Sequence, residues 1–475
     1  MTAPPMLRAV AVAASLALAT VARAPAAAAQ TPAPADPAPD ASARRTADDA
    51  PAFAFGSYGR IGAGTDLRGS TPEAVTIVQH GPRIVESPYA ELDLYYRTRA
   101  PGDVRVATVV TVAFAGDPFH YTGDFDAQIA LRNLYAEAIV RDRTTLWIGS
   151  RMYRGDDIYL VDYWPLDDEN TVGAGASYRA GSLAVEAHAG LNRLTDTYQL
   201  QTVDVPSNEF GGESIVQLDR QRMMASAKAS YRFFGDGVGP SAKVKLFSEI
   251  HRLPDGEILR EDRTVETLPS DFGYSIGAQV GAWGFAEPGS HANLFARWSQ
   301  GLTAHDELAV PFGFAPDRRT FPDSSEFVIG WSGNLDLGVA GALVGGYVRR
   351  FRDADPADDL DDGWEYVADA RPYAPIGDRV HAAVDLSYQQ RFPRGISPAS
   401  ARGIEPSVVQ IAPMLVYSPF GRGAYTRPHF RLVYRAAHLD RDARDLYALD
   451  DPRRTRPWVH YLGAQVEWWF NSTYR

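Results

Sequence analysis

The sequence feature that most constrains the fold is a period-two alternation of apolar and polar residues in long segments. Between Leu183 and Asn192 every second residue is apolar, and the residues between them include Glu186 and His188. Such segments predict β-strands with one apolar and one polar face. At about ten residues each, they match the length that a tilted strand needs to cross a membrane. The pattern therefore favours a transmembrane antiparallel β-barrel, whose apolar face meets lipid and whose polar face surrounds a lumen.

The connections between these segments alternate between short and long. We predict about 18 strands, an even number that is typical of bacterial barrels. The predicted strands are 53–64, 88–99, 104–114, 127–141, 144–152, 172–180, 182–192, 215–233, 241–252, 273–286, 291–301, 325–337, 341–352, 363–376, 378–391, 406–420, 425–437 and 457–470. Short turns at one end and long loops at the other predict periplasmic turns, extracellular loops and two periplasmic termini. The alternative, a soluble all-β fold, does not explain this alternation of connection lengths.

The N-terminal residues predict export. Residues 1–29 combine Arg8, an apolar stretch over Ala9–Val21 and small residues before Gln30, which together predict a secretory signal peptide. The segment 30–52 is rich in Pro and Ala and predicts a disordered linker. We expect the barrel to occupy 53–470 and a periplasmic tail to follow it over 471–475.

Composition excludes several classes of protein and site. The 475-residue chain carries a net charge of -12, which disfavours binding to nucleic acid. It contains no cysteine, so disulfides and thiolate metal sites are excluded. Its ten histidines show no metal-ligand spacing. We therefore expect neither a metal nor a cofactor.

The third long connection, 153–171, is the candidate functional segment. It carries Arg154, six acidic residues and four aromatic residues, Tyr153, Tyr159, Tyr163 and Trp164. One interpretation is a solvated acidic loop with interfacial aromatic residues. The density of aromatic residues in a polar loop favours the other interpretation, a segment that folds into the lumen and narrows it.

Several stretches of the sequence carry a resemblance to a known family. They are FGSYGRIGAG at 55–64, YAELDL at 89–94, WIGSRMYRGDDIYLVDYWPLD at 147–167, AYTRPHFRLVY at 424–434 and GAQVEWWF at 463–470. Together they resemble the maltoporin family of sugar-specific porins. The resemblance implies a homotrimer of 18-stranded barrels in the outer membrane, in contact with lipid and lipopolysaccharide. It also implies facilitated passive diffusion of maltodextrin-like oligosaccharides along a row of aromatic residues, the aromatic slide.

The resemblance further implies which residues contact the sugar. The slide and constriction residues would be Tyr58, Tyr89, Trp164, Tyr425 and Trp469. The polar track would be Arg60, Glu91, Arg154, Asp162 and Asp167. The third-loop arginine of the family falls on Gly155, and we expect Arg154 to replace it. One residue of the second long connection, Phe119, His120 or Tyr121, would reach into the pore of a neighbouring subunit.

Two other functions remain open at this point. The same fold suits a general or anion-selective diffusion porin, although the acidic balance of the chain disfavours passage of phosphate. An outer-membrane barrel enzyme would need a Ser–His pair with an orienting group. The sequence has no G-x-S-x-G motif, and His188 and His381 are predicted to face the lumen. We expect no enzymatic activity.

Overall fold

The computed structural model describes residues 52–192, 200–207, 211–234, 240–259, 262–304, 320–355, 362–397, 400–421 and 423–473. All of these residues belong to one compact unit, Ala33–Arg475. The predicted signal peptide and the predicted linker up to residue 51 lie outside the described residues. None of the helices in the described part of the chain is long and apolar enough to span a membrane.

Eighteen of the strands pair in antiparallel order into one sheet. They are β1 (Ala52–Thr65), β2 (Tyr89–Ala100), β3 (Val104–Ala115), β4 (Gln128–Val140), β5 (Thr144–Arg154), β6 (Asp168–Ala180), β7 (Leu183–Asn192), β10 (Arg222–Phe233), β11 (Ser241–Leu253), β14 (Asp271–Trp283), β15 (His291–Gly301), β16 (Ser325–Asp336), β17 (Gly341–Arg352), β18 (Gly363–Pro375), β19 (Val380–Pro393), β20 (Ser407–Tyr417), β21 (His429–Leu439) and β22 (Trp458–Phe470). The sheet closes because β1 pairs with both β2 and β22, and Tyr58 lies opposite Glu91 on one side and Trp469 on the other. The predicted 18-stranded antiparallel barrel is confirmed.

The remaining elements lie in the connections. Two hairpins stand apart from the barrel sheet, β8 (Leu200–Ser207) with β9 (Gly211–Asp219), and β12 (Gly256–Leu259) with β13 (Val265–Leu268). The short helices are α1 (Phe119–Thr122) and α2 (Arg441–Asp445), and 3₁₀ turns cover Tyr159–Val161 and Pro452–Arg454.

The barrel buries its polar face and exposes its apolar face. On β7, Leu183 and Leu191 are 42% and 41% exposed, whereas His188 between them is 3% exposed. On β19, Leu386 is 45% exposed and Asp385 is fully buried. This is the reverse of a soluble sandwich, and it is the arrangement expected for a barrel whose outer surface is solvated by lipid.

Strand β4 contains a β-bulge that explains its irregular alternation. The pairing with β3 shifts between Thr111 and Val112, which lie opposite Asn133 and Leu131, so Arg132 is the extra residue. A bulge changes the direction of a side chain locally. Arg132 forms an ion pair with Glu91, and the neighbouring Asn133 is also buried. Two consecutive side chains therefore face the interior.

One predicted strand, 215–233, is wrong because it joins two separate strands. β9 ends at Asp219 and pairs with β8, whereas β10 begins at Arg222. Arg220 between them is buried, and its Nη1 donates to the carbonyl oxygens of Pro254 and Pro269, at 3.0 and 2.8 Å. These bonds to another connection fix the break, and a period-two pattern does not reveal them.

The predicted strand 425–437 begins too early. β21 starts at His429, so 418–428 is a longer connection than the predicted turn, and it carries Tyr425. Local hydrogen bonds replace the strand ladder here: Ser418 Oγ donates to the carbonyl of Thr426 at 2.9 Å. Pro428 also lacks the N–H that a ladder needs.

The first long connection, residues 66–88, crosses the inside of the barrel. It joins β1 to β2 but contacts strands far from both. The Nε2 atoms of Gln389 on β19 and Gln410 on β20 donate to Val75 O, at 3.1 and 3.2 Å. The backbone N–H of Ile77 donates to Gln389 Oε1 at 2.9 Å, and that of His80 to Tyr347 Oη on β17 at 3.0 Å. The sequence analysis did not predict this crossing.

The chain end folds back across the first strands. Thr473 donates from its backbone N–H to Asp93 Oδ2 at 3.0 Å and from its hydroxyl to Asp93 Oδ1 at 2.7 Å. Asn133 Nδ2 donates to the same hydroxyl at 3.2 Å, and Tyr95 Oη donates to the carbonyl of Asn471 at 2.7 Å. Residues 471–473 are thus bonded to β2 and β4, on the far side of β1 from β22.

Candidate functional site

The connection between β5 and β6, residues 155–167, packs against the opposite wall of the barrel. Its Ile158 and Leu166 lie against inward-facing glycines of β14, β16 and β17. A Cβ atom at Gly345 or Gly330 would be 2.8 Å from Ile158, and one at Gly277 would be 2.6 Å from Leu166. Because any larger side chain at these positions would displace the connection, the three glycines form its seat. We call residues 155–167 the third connection.

Lysines hold one side of the third connection. Asp156 Oδ2 accepts from Lys243 Nζ at 3.0 Å and from Lys245 Nζ at 3.3 Å, and both lysines project inward from β11. Asp167 forms an ion pair with Lys228 of β10. All five side chains are almost completely buried. We call these residues the lysine-side cluster.

The charge of Asp156 depends on its lysines. Burial raises the pKa of Asp156, but the ammonium groups of Lys245 and Lys243 outweigh burial and hold that pKa well below its ordinary value. The carboxylate is therefore ionised at neutral pH. Its attachment to β11 is an ion pair in a water-poor environment, where removal of one partner is costly.

Arginines and a glutamate hold the other side of the third connection. Glu467 of β22 accepts from Tyr159 Oη at 2.7 Å, from Arg427 Nη2 at 3.0 Å and from Arg83 Nη2 at 3.3 Å, and it also contacts Arg431. Four separate segments of the chain meet at this carboxylate, and all five side chains are buried. We call these residues the arginine-side cluster. Charge-assisted hydrogen bonds of this kind are about twice as strong as neutral ones.

Aromatic rings lie directly against the arginine-side cluster. Tyr425 and Trp469 are partly buried, with ring centroids 6.5 Å apart, and both are packed edge-on against Tyr159 at 5.8 and 6.2 Å. The guanidinium of Arg427 lies 3.8 Å from the centre of the Trp469 ring. Tyr425 reaches this place from the connection 418–428, where it also lies 5.6 Å from His291 of β15.

A second aromatic pair adjoins this group on β1 and β2. The rings of Tyr58 and Tyr89 lie 6.0 Å apart. Tyr58 is completely buried, and its hydroxyl accepts from Arg83 at 2.9 Å and from Arg60 at 3.2 Å. Tyr89 is partly exposed and donates its hydroxyl proton to Glu91. Tyr58 therefore presents no free ring surface in this conformation, whereas Tyr89 does.

The third connection links to this pair through Asp162. Its carboxylate lies 3.5 Å from Arg60 Nη1 and 3.7 Å from Arg83 Nη1, and it is partly exposed. Asp162 adopts a left-handed backbone conformation at the end of the 3₁₀ turn Tyr159–Val161, which turns the carboxylate towards these arginines.

Trp164 and Arg154 lie together on the lysine side. Trp164 is 5% exposed, and the guanidinium of Arg154 lies 3.8 Å from the centre of its ring. A Cβ atom at Gly155 would be 2.2 Å from Asp167 Oδ1, so this conformation has no room for a side chain there. This explains why an arginine fits at 154 and not at 155.

The structure thus divides the ten sequence-predicted site residues into two groups. Seven lie around the arginine-side cluster: Tyr58, Arg60, Tyr89, Glu91, Asp162, Tyr425 and Trp469. Of the other three, Asp167 pairs with Lys228 of the lysine-side cluster, and Arg154, which stacks on Trp164, pairs with the adjacent Asp168. The charge of Arg154 also acts on Glu91. In the second long connection, the rings of Phe119 and Phe125 stack at 4.4 Å and Tyr121 is exposed, and their contact with a neighbouring pore stays a prediction.

Sequence reasoning missed several residues of the site. Glu467 is one of them, since no role was predicted for it, although alternation with Trp469 places it on the same face of the last strand. The lysines carried a usable signal, because Lys243 and Lys245 are two apart in a strand and must share a face. Arg427 gave no such signal, because residues 425–437 were predicted as a strand.

Comparison with known proteins identifies the family. The family model of the LamB porins matches residues 53–470. The chain belongs to the LamB porin family. As a LamB porin it is an outer-membrane channel through which solutes diffuse. A search of curated proteins finds no match.

Solved structures of porins match most of this chain at low sequence identity. Pseudomonas aeruginosa OpdK with vanillate is 12% identical with a TM-score of 0.43, over 88% of this chain and 97% of that chain. Acinetobacter baumannii OccAB1 is 12% identical with a TM-score of 0.41, over 88% and 95%. A BenF-like porin from Pseudomonas fluorescens Pf-5 is 9% identical with a TM-score of 0.41, over 88% and 97%.

Proposed function

We propose that this LamB porin is a sugar-selective channel for maltodextrin-like oligosaccharides, which pass by facilitated diffusion. One observation carries the proposal: the partly buried rings of Tyr425 and Trp469 lie beside the charged network of Glu467 and Arg427. A pyranose has apolar C–H faces that stack on rings and hydroxyls that need strong donors and acceptors. Stacking on one aromatic ring contributes about 1–3 kcal/mol for nucleobases, which gives the scale for a sugar face.

The remaining polar residues extend the same surface. Tyr89, Glu91, Arg60 and Asp162 form a charged and aromatic strip next to the two rings. Transport needs several weak contacts rather than one strong site, so that the ligand also leaves. On this proposal, Trp164 and Arg154 shape the bore by supporting the third connection. The channel is a homotrimer with both termini periplasmic, and its outer surface contacts lipid and lipopolysaccharide.

Single-channel conductance in a planar bilayer tests the proposal. Linear maltooligosaccharides at millimolar concentration should block the current in a dose-dependent way, and polyethylene glycol of similar size should not. Trp469→Ala should weaken the block about tenfold, the loss expected for one stacked ring. Trp468→Ala is the matched control, because Trp468 is the adjacent residue and lies over Gly59 and Ser57 on the outer face. A current that no sugar alters would instead indicate a general diffusion porin.

A further inference from the structure

Two buried carboxyl groups lie side by side on the inner face of β18 and β19. Asp369 is 4% exposed and Asp385 is fully buried. Their carboxyl groups are close enough to interact directly. Arg371 Nε donates to Asp385 Oδ2 at 2.8 Å. Among the described residues, Arg371 is the guanidinium in direct contact with the pair, and the charge of Arg431 acts on Asp385 from farther away.

Neutral oxygen atoms extend this pair across a third strand. Asp369 lies directly opposite Ser387 of β19, and Ser387 lies directly opposite Gln410 of β20. Side chains directly opposite one another have Cβ atoms about 4.5–5.5 Å apart. Ser387 and Gln410 are 5% and 2% exposed. The four side chains therefore form one compact group on the inner wall.

The oxygen atoms of this group lack partners. Among the described residues, no hydrogen-bond partner is found for Asp369 Oδ1 and Oδ2, Asp385 Oδ1, Ser387 Oγ or Gln410 Oε1. The orientation of the Gln410 amide is fixed, because its Nε2 donates to Val75 O at 3.2 Å. Its oxygen is thus the atom left for the group. Buried polar atoms are normally satisfied, so such a concentration of free acceptors indicates a missing donor or cation.

We propose that Asp369, Asp385, Ser387 and Gln410 form a binding site for a hard divalent cation, with Ca²⁺ as the best match. The group offers five oxygen atoms and no nitrogen or sulfur, which disfavours most transition metals. Asp369 has both oxygens available, and Ca²⁺ accepts bidentate carboxylates and amide oxygens within a set of six to eight ligands. Mg²⁺ requires a stricter octahedral geometry and retains several waters. The site contains only two carboxylates. Among the described residues, no group of three or more His, Asp or Glu residues is placed to hold a metal ion.

The cation would connect the barrel wall to the first connection. Gln410 holds Val75 through its Nε2 atom and would hold the cation through its Oε1 atom. Binding therefore rigidifies the place where residues 66–88 cross the barrel. Removal of the cation loosens this crossing and increases current fluctuations. This proposal does not depend on which solute the channel carries.

Calcium binding to the full chain tests the site. Protein refolded from inclusion bodies, free of lipopolysaccharide, is treated with EDTA and titrated with CaCl2 by calorimetry, with the thermal midpoint measured in parallel. We expect one saturable Ca²⁺ per chain and weaker binding of Mg²⁺. Asp369→Asn should weaken Ca²⁺ binding at least about tenfold, the lower limit for loss of support around a metal. Asp93→Asn is the matched control, because Asp93 is also buried but both its oxygens are bonded. It should bind Ca²⁺ as the parent chain does.

Two results would overturn the proposal. If the parent chain shows no saturable binding, the group holds no cation, and a higher thermal midpoint of Asp369→Asn without calcium would show that the carboxyl pair shares a proton instead. Ser387→Ala retains both charges and removes one ligand, so it decides the matter if Asp369→Asn fails to fold. Calcium affinity equal to that of the parent chain in Ser387→Ala and Asp369→Asn would place the bound ion elsewhere.

Discussion

The two sides of the third connection are held by different chemistry. On the lysine side, compact ammonium groups meet the carboxylates of Asp156 and Asp167, and the neighbouring ring of Trp164 is almost completely buried. On the arginine side, planar guanidinium groups meet Glu467, and that of Arg427 lies over Trp469, whose ring is partly exposed. A planar guanidinium can bond a carboxylate while it stacks on a ring. On the lysine side, Lys228 also lies 3.8 Å from the centre of the Tyr153 ring, but that ring is buried. The comparison suggests that the lysine side fastens the connection and the arginine side offers a surface for the solute.

The largest effect should follow from breaking the lysine side. Lys243→Met with Lys245→Met removes both ammonium groups from Asp156. A buried charge without its partner costs about 3–5 kcal/mol, enough to release the third connection from the wall. We expect a clear rise in single-channel conductance. Adding Asp156→Asn to the double variant removes the stranded charge and should bring conductance back towards the parent value. An unchanged conductance in the double variant would show that the lysines do not hold the connection.

A moderate effect should separate the two tryptophans. Trp469→Ala should weaken sugar block about tenfold with little change in open-channel conductance, because its ring is partly exposed and lies on the wall. Trp164→Ala should raise conductance and alter block only indirectly, because its buried ring packs under Arg154. The measurement is block by maltooligosaccharide on each variant at matched voltage. Equal loss of block in both variants would contradict the division into a fastening side and a binding side.

The smallest effect should come from acid, through the stack that links the two crossing connections. His80 of residues 66–88 stacks on Tyr163 of the third connection at 4.1 Å. Burial, and next the charge of Arg349, lower the pKa of His80 to about 3. This pKa is below the ordinary value, so buried neutral His80 stabilises the docked state fully above about pH 6.5. Below about pH 6.5 this stabilisation falls by about 1.4 kcal/mol per pH unit.

Conductance recorded from pH 7.5 to pH 5 tests this link. By pH 5 the docked state should have lost about 2 kcal/mol, and current fluctuations should increase. His80→Phe retains a ring against Tyr163 and removes the titrating group, so its response to acid should be flatter. If both proteins respond equally, groups other than His80 determine the acid response.

The strands were predictable because the lipid imposes a simple rule on them. Outward residues such as Leu183 and Leu386 must be apolar, and inward residues such as His188 are free to be polar, so alternation is visible in a single sequence. The rule does not apply to segments of the chain that do not contact lipid. β9 belongs to a hairpin apart from the barrel sheet, and the prediction of 215–233 as one strand joined residues 215–219 of β9 to β10.

The resemblance supplied the aromatic residues of the candidate site and some of its polar residues, but not the charged residues at its centre, Glu467 and Arg427. Tyr89, Tyr425 and Trp469 were found through a resemblance, which fixes positions in the sequence but not contacts. Glu467, at the centre of the neighbouring cluster, bonds to Tyr159, which lies more than 300 positions away in the sequence. The crossing of residues 66–88 likewise depends on single hydrogen bonds to distant glutamines. No local periodicity records contacts of that range.

The folded-back chain end has a mechanical consequence for the seam where β1 meets β22. Thr473 is bonded to Asp93 and Asn133, and Asn471 to Tyr95, all beyond β1. Residues 471–473, which follow β22, therefore bridge from β22 to β2 and β4 across β1. Separation of β1 from β22 must break the hydrogen bonds of this bridge as well as the backbone hydrogen bonds between the two strands.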